Sequence, residues 1–404
     1  MSRPKVIYWN NQPTPYLVDR LNAVVANGNT DVEAWFETER ESDRSWAVDP
    51  SSWGFSGSYL SSTKVGPLQM PFPDRRLIGH GPDVLITPID RKAAVAAVSV
   101  GRAIAKRVAA RTLPMYATWT NQSRASKVAF SLLYRAIDGA KVPGDDGVRW
   151  AERFGLPRER CWTVTQSIDL GHYQSSLQIG SSARADGRRS RGLSGCVFLY
   201  VGRLHHDKGI RHLLGAFRQV QRMDAAVSLL VVGDGRDERE LRAAAEGMSG
   251  VHFEGFVQAP ELPSLYALAD VFVFPTLGDP NGLVVEEAMA AGLPVISTTN
   301  AGDIHQRIQE ATTGFVVPAF DPGALAEKML VLAADAGLRS RMARAAAESA
   351  AKFSMQQYAD DFDQFIEGLL AKERRRNAAT FVTRAAGTGM LGLARGVAGS
   401  QTVS

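Results

Sequence analysis

The sequence predicts an α/β protein built from two Rossmann-like domains. Three observations carry that expectation. Short β-branched runs recur along the second half and are apolar throughout, which marks strands buried on both faces of a parallel sheet. Segments with a 3.6-residue apolar period lie between them. At roughly 100–200 residues per domain, a chain of 404 residues is long enough for two.

In the second half the runs are Val197–Val201, Val227–Val232, Val251–Phe253, Val271–Phe274, Val295–Ser297 and Phe315–Val317. Ile210, Leu213, Leu214, Phe217 and Val220 share one helical face, as do Leu262, Leu265, Tyr266 and Ala269. The first half repeats the pattern less regularly, with strands expected at Val6–Trp9, Val32–Phe36, Val84–Thr87, Met115–Trp119 and Cys161–Thr165. Leu17, Leu21, Val24 and Val25 mark a helix after the first strand. Residues 40–80, rich in Ser, Trp and Pro, read as an insertion with little regular structure. Residues 181–195, with four arginines, read as an exposed linker loop. The expected division is therefore 1–180, a linker at 181–195, a second domain at 196–355, an amphipathic return helix at 356–376 and a flexible tail at 377–404. The return helix carries Tyr358, Phe362, Phe365, Ile366 and Leu369.

Composition excludes several classes. A chain that is 45% hydrophobic and 22% charged, with 37 Gly and 19 Pro, is neither disordered nor fibrous. A net charge of +4 is too small for a nucleic-acid binder. The charge is unevenly placed: residues 1–194 hold 26 basic and 18 acidic side chains, and residues 195–404 hold 20 and 24. A basic first half suits an anionic substrate or a membrane surface. Cys161 and Cys196 have no CxxC spacing, which argues against a disulfide framework or a structural zinc site and fits a reducing compartment. The apolar segment Val6–Trp9 is too short for a signal peptide, and no run reaches the ~18 apolar residues of a membrane span. A cytoplasmic protein is expected.

Two segments could carry chemistry. Tyr200-Val-Gly-Arg-Leu-His-His-Asp-Lys-Gly209 sits where a strand gives way to a helix. Gly202 allows close ligand approach, and Arg203 and Lys208 bracket the turn, so two cations beside a helix start offer a phosphate site. Gly278-Asp-Pro-Asn-Gly-Leu-Val-Val-Glu-Glu-Ala-Met-Ala-Ala-Gly-Leu-Pro-Val295 follows the strand Val271–Phe274. Val284, Val285, Ala288 and Met289 form its buried stripe. Glu286 and Glu287 flank that stripe almost symmetrically, so periodicity leaves open which one faces a ligand. Val231-Val-Gly-Asp-Gly235 and Phe253-Glu-Gly-Phe-Val257 are further turns at strand ends, the edge at which open α/β sheets bind ligands.

Taken in order, these segments resemble family 4 glycosyltransferases over roughly 196–355. The resemblance rests on Val-Gly-Arg-Leu-x3-Lys-Gly, Val-Gly-Asp-Gly, Phe-x-Gly-Phe-Val, Ala-Asp-Val-Phe-Val-Phe-Pro-Thr and Gly-Leu-Val-Val-x-Glu-Ala-Met-Ala-x-Gly-Leu-Pro-Val-Ile. It implies the GT-B fold, two Rossmann-like domains facing across a cleft with a C-terminal helix packing back toward the first. It also implies a retaining enzyme that moves a sugar from a nucleotide diphosphate sugar to a hydroxyl. Arg203 and Lys208 would hold the donor diphosphate. The Glu-x7-Glu motif of the family falls on Asp279 and Glu287, favouring Glu287 as the ribose ligand, with Asp279 and the amides of Asn281, Gly282, Leu283 and Val284 on the transferred sugar and phosphates. Gly202 and Gly233 would line the donor site, and the backbone of Phe256 and Val257 would meet the base.

The first half departs from the family. Asn10-Asn-Gln-Pro-Thr-Pro-Tyr16 stands where many members have a Gly-rich loop, which puts Asn11 and Thr14 on the acceptor side. Thr118-Trp-Thr-Asn121 stands where a His is common, leaving Thr120 and Asn121 as hydrogen-bonding substitutes, and His80, His205 and His206 are not positional equivalents. No acidic metal cage is visible, so metal-independent transfer without a further cofactor is expected. A lipid-linked glycan acceptor at the inner face of the cell membrane fits the family and the basic first half. The stretch Arg91–Arg111, with six cations and no acid, is expected as an outer helix with a solvated basic face or as a membrane-contacting segment. Gly387-Thr-Gly-Met-Leu-Gly392 matches GxGxxG, but no strand precedes it. The rival readings are a nucleotide-sugar epimerase with the same shell and a non-catalytic nucleotide-sugar-binding protein.

Overall fold

The computed structural model describes residues 2–39, 48–65, 68–72, 81–89, 93–113, 123–223 and 226–400. The chain forms two compact units: one runs to Gln166 and resumes at Met355, and the other spans Ser167–Ser354.

The first unit is a parallel sheet in the order β3-β2-β1-β6-β7-β8-β9. Its strands are β1 (Lys5–Asn10), β2 (Asp31–Phe36), β3 (Ser56–Tyr59), β6 (Val84–Pro88), β7 (Arg107–Arg111), β8 (Gly139–Val142) and β9 (Cys161–Thr163), with an antiparallel hairpin of β4 (Ser61–Val65) and β5 (Leu68–Phe72) beside them. The helix Pro15–Asn27 starts where Thr14 Oγ1 accepts the Leu17 amide at 3.3 Å with Pro15 at its first position. Leu17, Leu21 and Val24 of that helix pack with Tyr358, Phe362, Phe365, Ile366 and Leu369 of the helix Met355–Ala371. The amphipathic pattern of the return helix thus fills the core of the first unit.

Several expectations for this unit need correction. Residues 40–80 contain more order than their composition suggests: Trp53 stacks on Phe55 at 5.5 Å and tilts against Phe36, and this aromatic cluster accompanies β3 on the edge of the sheet. The stretch Arg91–Arg111 is not one basic helix. It contains the helix Ala94–Ile104 and the strand β7, separated by a turn. Arg102 is buried, donating to Asp138 at 2.9 Å and to the Ala136 carbonyl. Lys106 pairs with Asp83, and Arg107 reaches the Lys372 carbonyl at 3.1 Å. Arg102 and Arg107 are thus tied into the fold while the Lys106 side chain is 70% exposed, so these cations share no single helical stripe; Arg91 and Lys92 lie outside the described residues, as does the expected strand Met115–Trp119. Residues expected as a flexible tail form the helix Ala378–Ser400. It packs on Ala94–Ile104 so closely that a side chain at Gly387 would meet the Ser99 carbonyl at 1.9 Å, which explains the glycine of the GxGxxG match.

The second unit is a parallel sheet in the order β12-β11-β10-β13-β14-β15. Its strands are β10 (Cys196–Val201), β11 (Val227–Val232), β12 (Val251–Gly255), β13 (Val271–Phe274), β14 (Val295–Thr298) and β15 (Gly314–Val317), within a residue or two of the apolar runs. Residues 181–195, expected as a linker, begin with the helix Ser181–Ser190, which belongs to this unit. Arg184 and Arg188 clamp Asp270 at 2.7 and 2.9 Å, so the arginines that suggested an exposed loop are anchors. Cys161 and Cys196 lie in different units, and burial pushes both thiols up to about 12. Among the described residues no helix is long and apolar enough to cross a membrane.

A buried lysine distinguishes the first unit. Lys141 on β8 donates to the Tyr358 hydroxyl at 2.9 Å and lies 4.7 Å from the centre of that ring. Burial, then the charges of Arg20 and Arg111, hold its pKa well below the ordinary lysine value of 10.5, against a smaller pull from Asp361. The folded protein therefore releases a proton that the unfolded chain keeps, and stability from this site rises as pH climbs from the depressed value toward 10.5. In denaturant titrations against Lys141→Met, native stability should gain on the variant as pH increases through that window. A pH-independent difference would show that Lys141 keeps its proton in the fold.

Candidate active site

The six-stranded order of the second unit is the doubly wound 3-2-1-4-5-6 arrangement, with its switch point between β10 and β13. In open sheets of this order the connections leave these two strands toward opposite faces, and ligands bind outside their C-terminal ends. Arg203 and Lys208 follow β10, and Asp279 to Val284 follow β13. The sheet thus delivers both sequence-predicted segments to one edge.

The two loops are fitted to each other. Gly209 has φ +69, and a Cβ there would come within 1.9 Å of the Pro275 carbonyl oxygen, so only glycine allows this approach. The Asp207 carbonyl accepts from the Leu277 amide at 2.8 Å and from Thr276 Oγ1 at 3.1 Å. That seam brings Lys208 Nζ to 2.7 Å from Asp279 Oδ2. Burial alone would raise the Asp279 pKa. The Lys208 charge and hydrogen bond, the Asn281 amide at 2.9 Å and the charge of Arg307 outweigh it and hold the carboxyl below its usual range. Asp279 is thus an anion at neutral pH. On the other side of β10, Tyr200 is buried and donates to the Arg203 carbonyl at 2.9 Å. Burial, then the charges of Asp207 and Asp279, hold the pKa of that hydroxyl well above its ordinary value, against a smaller pull from Arg203. Gly233, at the end of β11, lies against the same loop: a Cβ there would fall 2.0 Å from the Gly202 carbonyl oxygen.

Arg307 is a residue the sequence reading missed. It is buried, and it donates to the carbonyls of Asn281 and Gly282, the latter at 2.7 Å, and to Glu286 Oε2 at 2.7 Å. In a trans peptide the C=O of one residue and the N–H of the next point opposite ways. With two successive carbonyls turned toward Arg307, the amides of Gly282 and Leu283 face away from it. The clamp therefore orients two of the predicted donor amides. The two glutamates differ in their partners: Glu286 accepts from Arg307, whereas Glu287 accepts from the Tyr266 hydroxyl at 2.8 Å. Both are fully buried, so the helix Val284–Ala290 is covered on more than its apolar stripe. No hydropathy pattern signals Arg307, because its partners are backbone carbonyls 25 residues away in sequence.

The remaining predicted residues are more dispersed. Phe256 stands exposed just beyond β12, with Val257 beside it. Thr14 caps a helix in the first unit, and buried Asn11 gives its carbonyl to the Thr38 amide at 2.9 Å. Thr120 and Asn121 lie outside the described residues, as does His80. His205 is engaged by Asp207, and His206 lies 2.8 Å from a guanidinium nitrogen of Arg236. Among the described residues, no group of three His, Cys, Asp or Glu side chains is arranged to hold a metal ion.

Comparison with known proteins matches this geometry to a family. The family described as "Glycosyl transferases group 1" matches residues 195–335, the segment that holds the switch point, the Lys208–Asp279 pair and the Arg307 clamp. These residues belong to the group 1 glycosyl transferases. D-inositol 3-phosphate glycosyltransferase of Salinispora arenicola is 30% identical over 250 residues, covering 58% of this chain and 53% of that protein. Alpha-D-kanosaminyltransferase of Streptomyces kanamyceticus is 32% identical over 205 residues, covering 50% and 52%. The chain thus spans about half the length of these curated relatives. Anabaena HepE, solved in complex with UDP and glucose, shares the GT-B fold with a TM-score of 0.72 at 16% identity, over 90% of this chain and all of that one.

The Arg307 clamp makes a testable claim about stability. Glu286→Ala leaves a buried guanidinium without its carboxylate, a loss of about 3–5 kcal/mol by analogy with other broken buried pairs. Glu286→Gln keeps one acceptor and should lose clearly less. Equal stability of all three proteins in denaturant unfolding would remove the clamp from the account.

Proposed function

We propose that this chain is a retaining glycosyltransferase that moves a hexosyl group from a nucleotide diphosphate sugar to a hydroxyl acceptor without a metal ion. The observation that carries this reading is the Lys208–Asp279 pair, on the loop that also carries Arg203, at the switch point of a sheet matched by the group 1 glycosyl transferases. Cleavage of the anomeric C–O bond leaves its electron pair on the diphosphate. Lys208 and Arg203 are poised to meet that charge, with the Gly282 and Leu283 amides oriented by Arg307. Such donors act without reorganising at the moment of reaction, and losing one costs about 10²–10³ in turnover. The acceptor hydroxyl then bonds to the anomeric carbon on the face the diphosphate left and gives up its proton to an oxygen of the departing diphosphate.

Asp279 has a double part in this scheme. It holds Lys208 in place before the donor arrives, and it lies close enough to the diphosphate position to contact the transferred sugar. Glu287, held by Tyr266, takes the donor ribose. Phe256 and Val257 at the β12 edge take the base. HepE was solved with UDP and glucose, which makes UDP-glucose the first donor to try. We place the reaction in polysaccharide or glycolipid assembly, with a lipid-linked glycan as acceptor at the inner face of the cell membrane. Nothing observed favours an epimerase or a non-catalytic sugar-nucleotide binder.

Donor turnover, assayed as UDP release with and without added glycan acceptors, tests the proposal. Lys208→Ala and Arg203→Ala should each lower turnover about 10²–10³-fold; Arg203→Ala should leave the unfolding midpoint close to native, whereas Lys208→Ala should lower it because buried Asp279 loses its cation. Glu287→Gln should act mainly by raising the donor KM. Near-native turnover in both cation variants would overturn the assignment, and sugar interconversion without any acceptor would point to the epimerase.

A further inference from the structure

The first unit carries a surface that the proposed donor chemistry does not use. The helix Arg124–Ala136 ends where the helix Ala378–Ser400 begins. Asn377 Nδ2 donates to the Arg135 carbonyl at 2.9 Å, a guanidinium nitrogen of Arg375 donates to the Tyr134 carbonyl at 3.1 Å, and Asn377 Oδ1 caps the second helix by accepting the Thr380 amide at 3.0 Å. Within one or two turns of this junction, four apolar side chains stand in water: Val128 is 60% exposed, Leu132 50%, Phe381 76% and Val382 63%. Single exposed apolar residues are ordinary on a protein surface, but four beside one helix junction call for a partner.

The charges around them say which kind. Residues 123–136 hold Arg124, Lys127 and Arg135 and no acid; residues 373–388 hold Arg374, Arg375, Arg376 and Arg384 against the single acid Glu373. Arg124, Arg135, Arg376 and Arg384 are exposed. A second copy of the chain meeting this face symmetrically would set these like charges against each other. An anionic bilayer neutralises them and receives the apolar side chains at its acyl boundary.

We infer that this helix junction is a docking surface for an anionic lipid bilayer, with Val128, Leu132, Phe381 and Val382 inserted and the arginines at the level of the headgroups. The inference deepens the membrane-face reading of the proposed function, but it does not involve the donor site. It also moves the contact away from Arg91–Arg111, where Arg102 and Arg107 are bonded within the fold.

Flotation of the full chain with phosphatidylglycerol vesicles, and separately with phosphatidylcholine vesicles, tests the surface. Binding to phosphatidylglycerol, weak binding to phosphatidylcholine and release by salt are expected. The pairs Phe381→Ser with Val382→Ser, and Arg376→Glu with Arg384→Glu, should each weaken partitioning by about ten-fold or more. Leu132→Ser, on the other helix, should weaken it independently, and UDP binding should be native in all of them. Native partitioning of the variants, or no binding to phosphatidylglycerol, would overturn the inference. So would a dimer, detected by light scattering, that the same substitutions disperse, because a second copy would then be the occupant.

Discussion

The candidate site depends on one constraint: the loops after β10 and β13 must meet across the switch point of the sheet. They come from strands that are neighbours in space but 73 residues apart at the ends the loops leave, Val201 and Phe274. Parallel pairing aligns those strands, and Gly209 lets the first loop lie directly on the Pro275 carbonyl. Everything else follows from that seam. It sets Lys208 against Asp279, and it fixes the turn that carries Arg203. On its far side, Arg307 turns two carbonyls inward and so presents two amides outward. Lys208 with its carboxylate and two oriented backbone amides are thus held at one edge of the sheet.

The sequence was most legible where burial is two-sided and periodicity is strong. All six strands of the second sheet lie at the apolar runs of that half, because a parallel strand covered on both faces has no polar positions to blur its pattern. The same legibility carried Lys208 and Asp279, since each sits at a fixed offset from such a strand. Where the reading failed, charge was the cause. Arg102, Arg107, Arg184 and Arg188 look solvent-facing in sequence, yet each pairs with a carboxylate or with carbonyls at helix and strand ends. Arg307 was invisible for the same reason. A side chain that satisfies backbone groups leaves no motif of residue types.

The first unit shows a related limit. β7 carries an arginine at each end and β8 carries Lys141, so neither stands out as an apolar run, although both sit in the middle of a sheet. Lys141 is tolerated there because Tyr358 offers a hydroxyl and two further rings lie near it, an arrangement that depends on the return helix. That dependence ties residues beyond 355 to the core of the first unit and gives the C-terminal segment a structural reason to be ordered.

The central claim, that the Lys208–Asp279 site exists to hold a diphosphate, can be reduced to one calorimetric comparison. Titrate UDP and uridine into the native chain and into Lys208→Met. The account predicts that the native protein prefers UDP strongly, and that the variant loses most of this preference while its affinity for uridine stays the same. If the preference for UDP survives the substitution intact, the phosphates are held elsewhere and the site assignment is wrong.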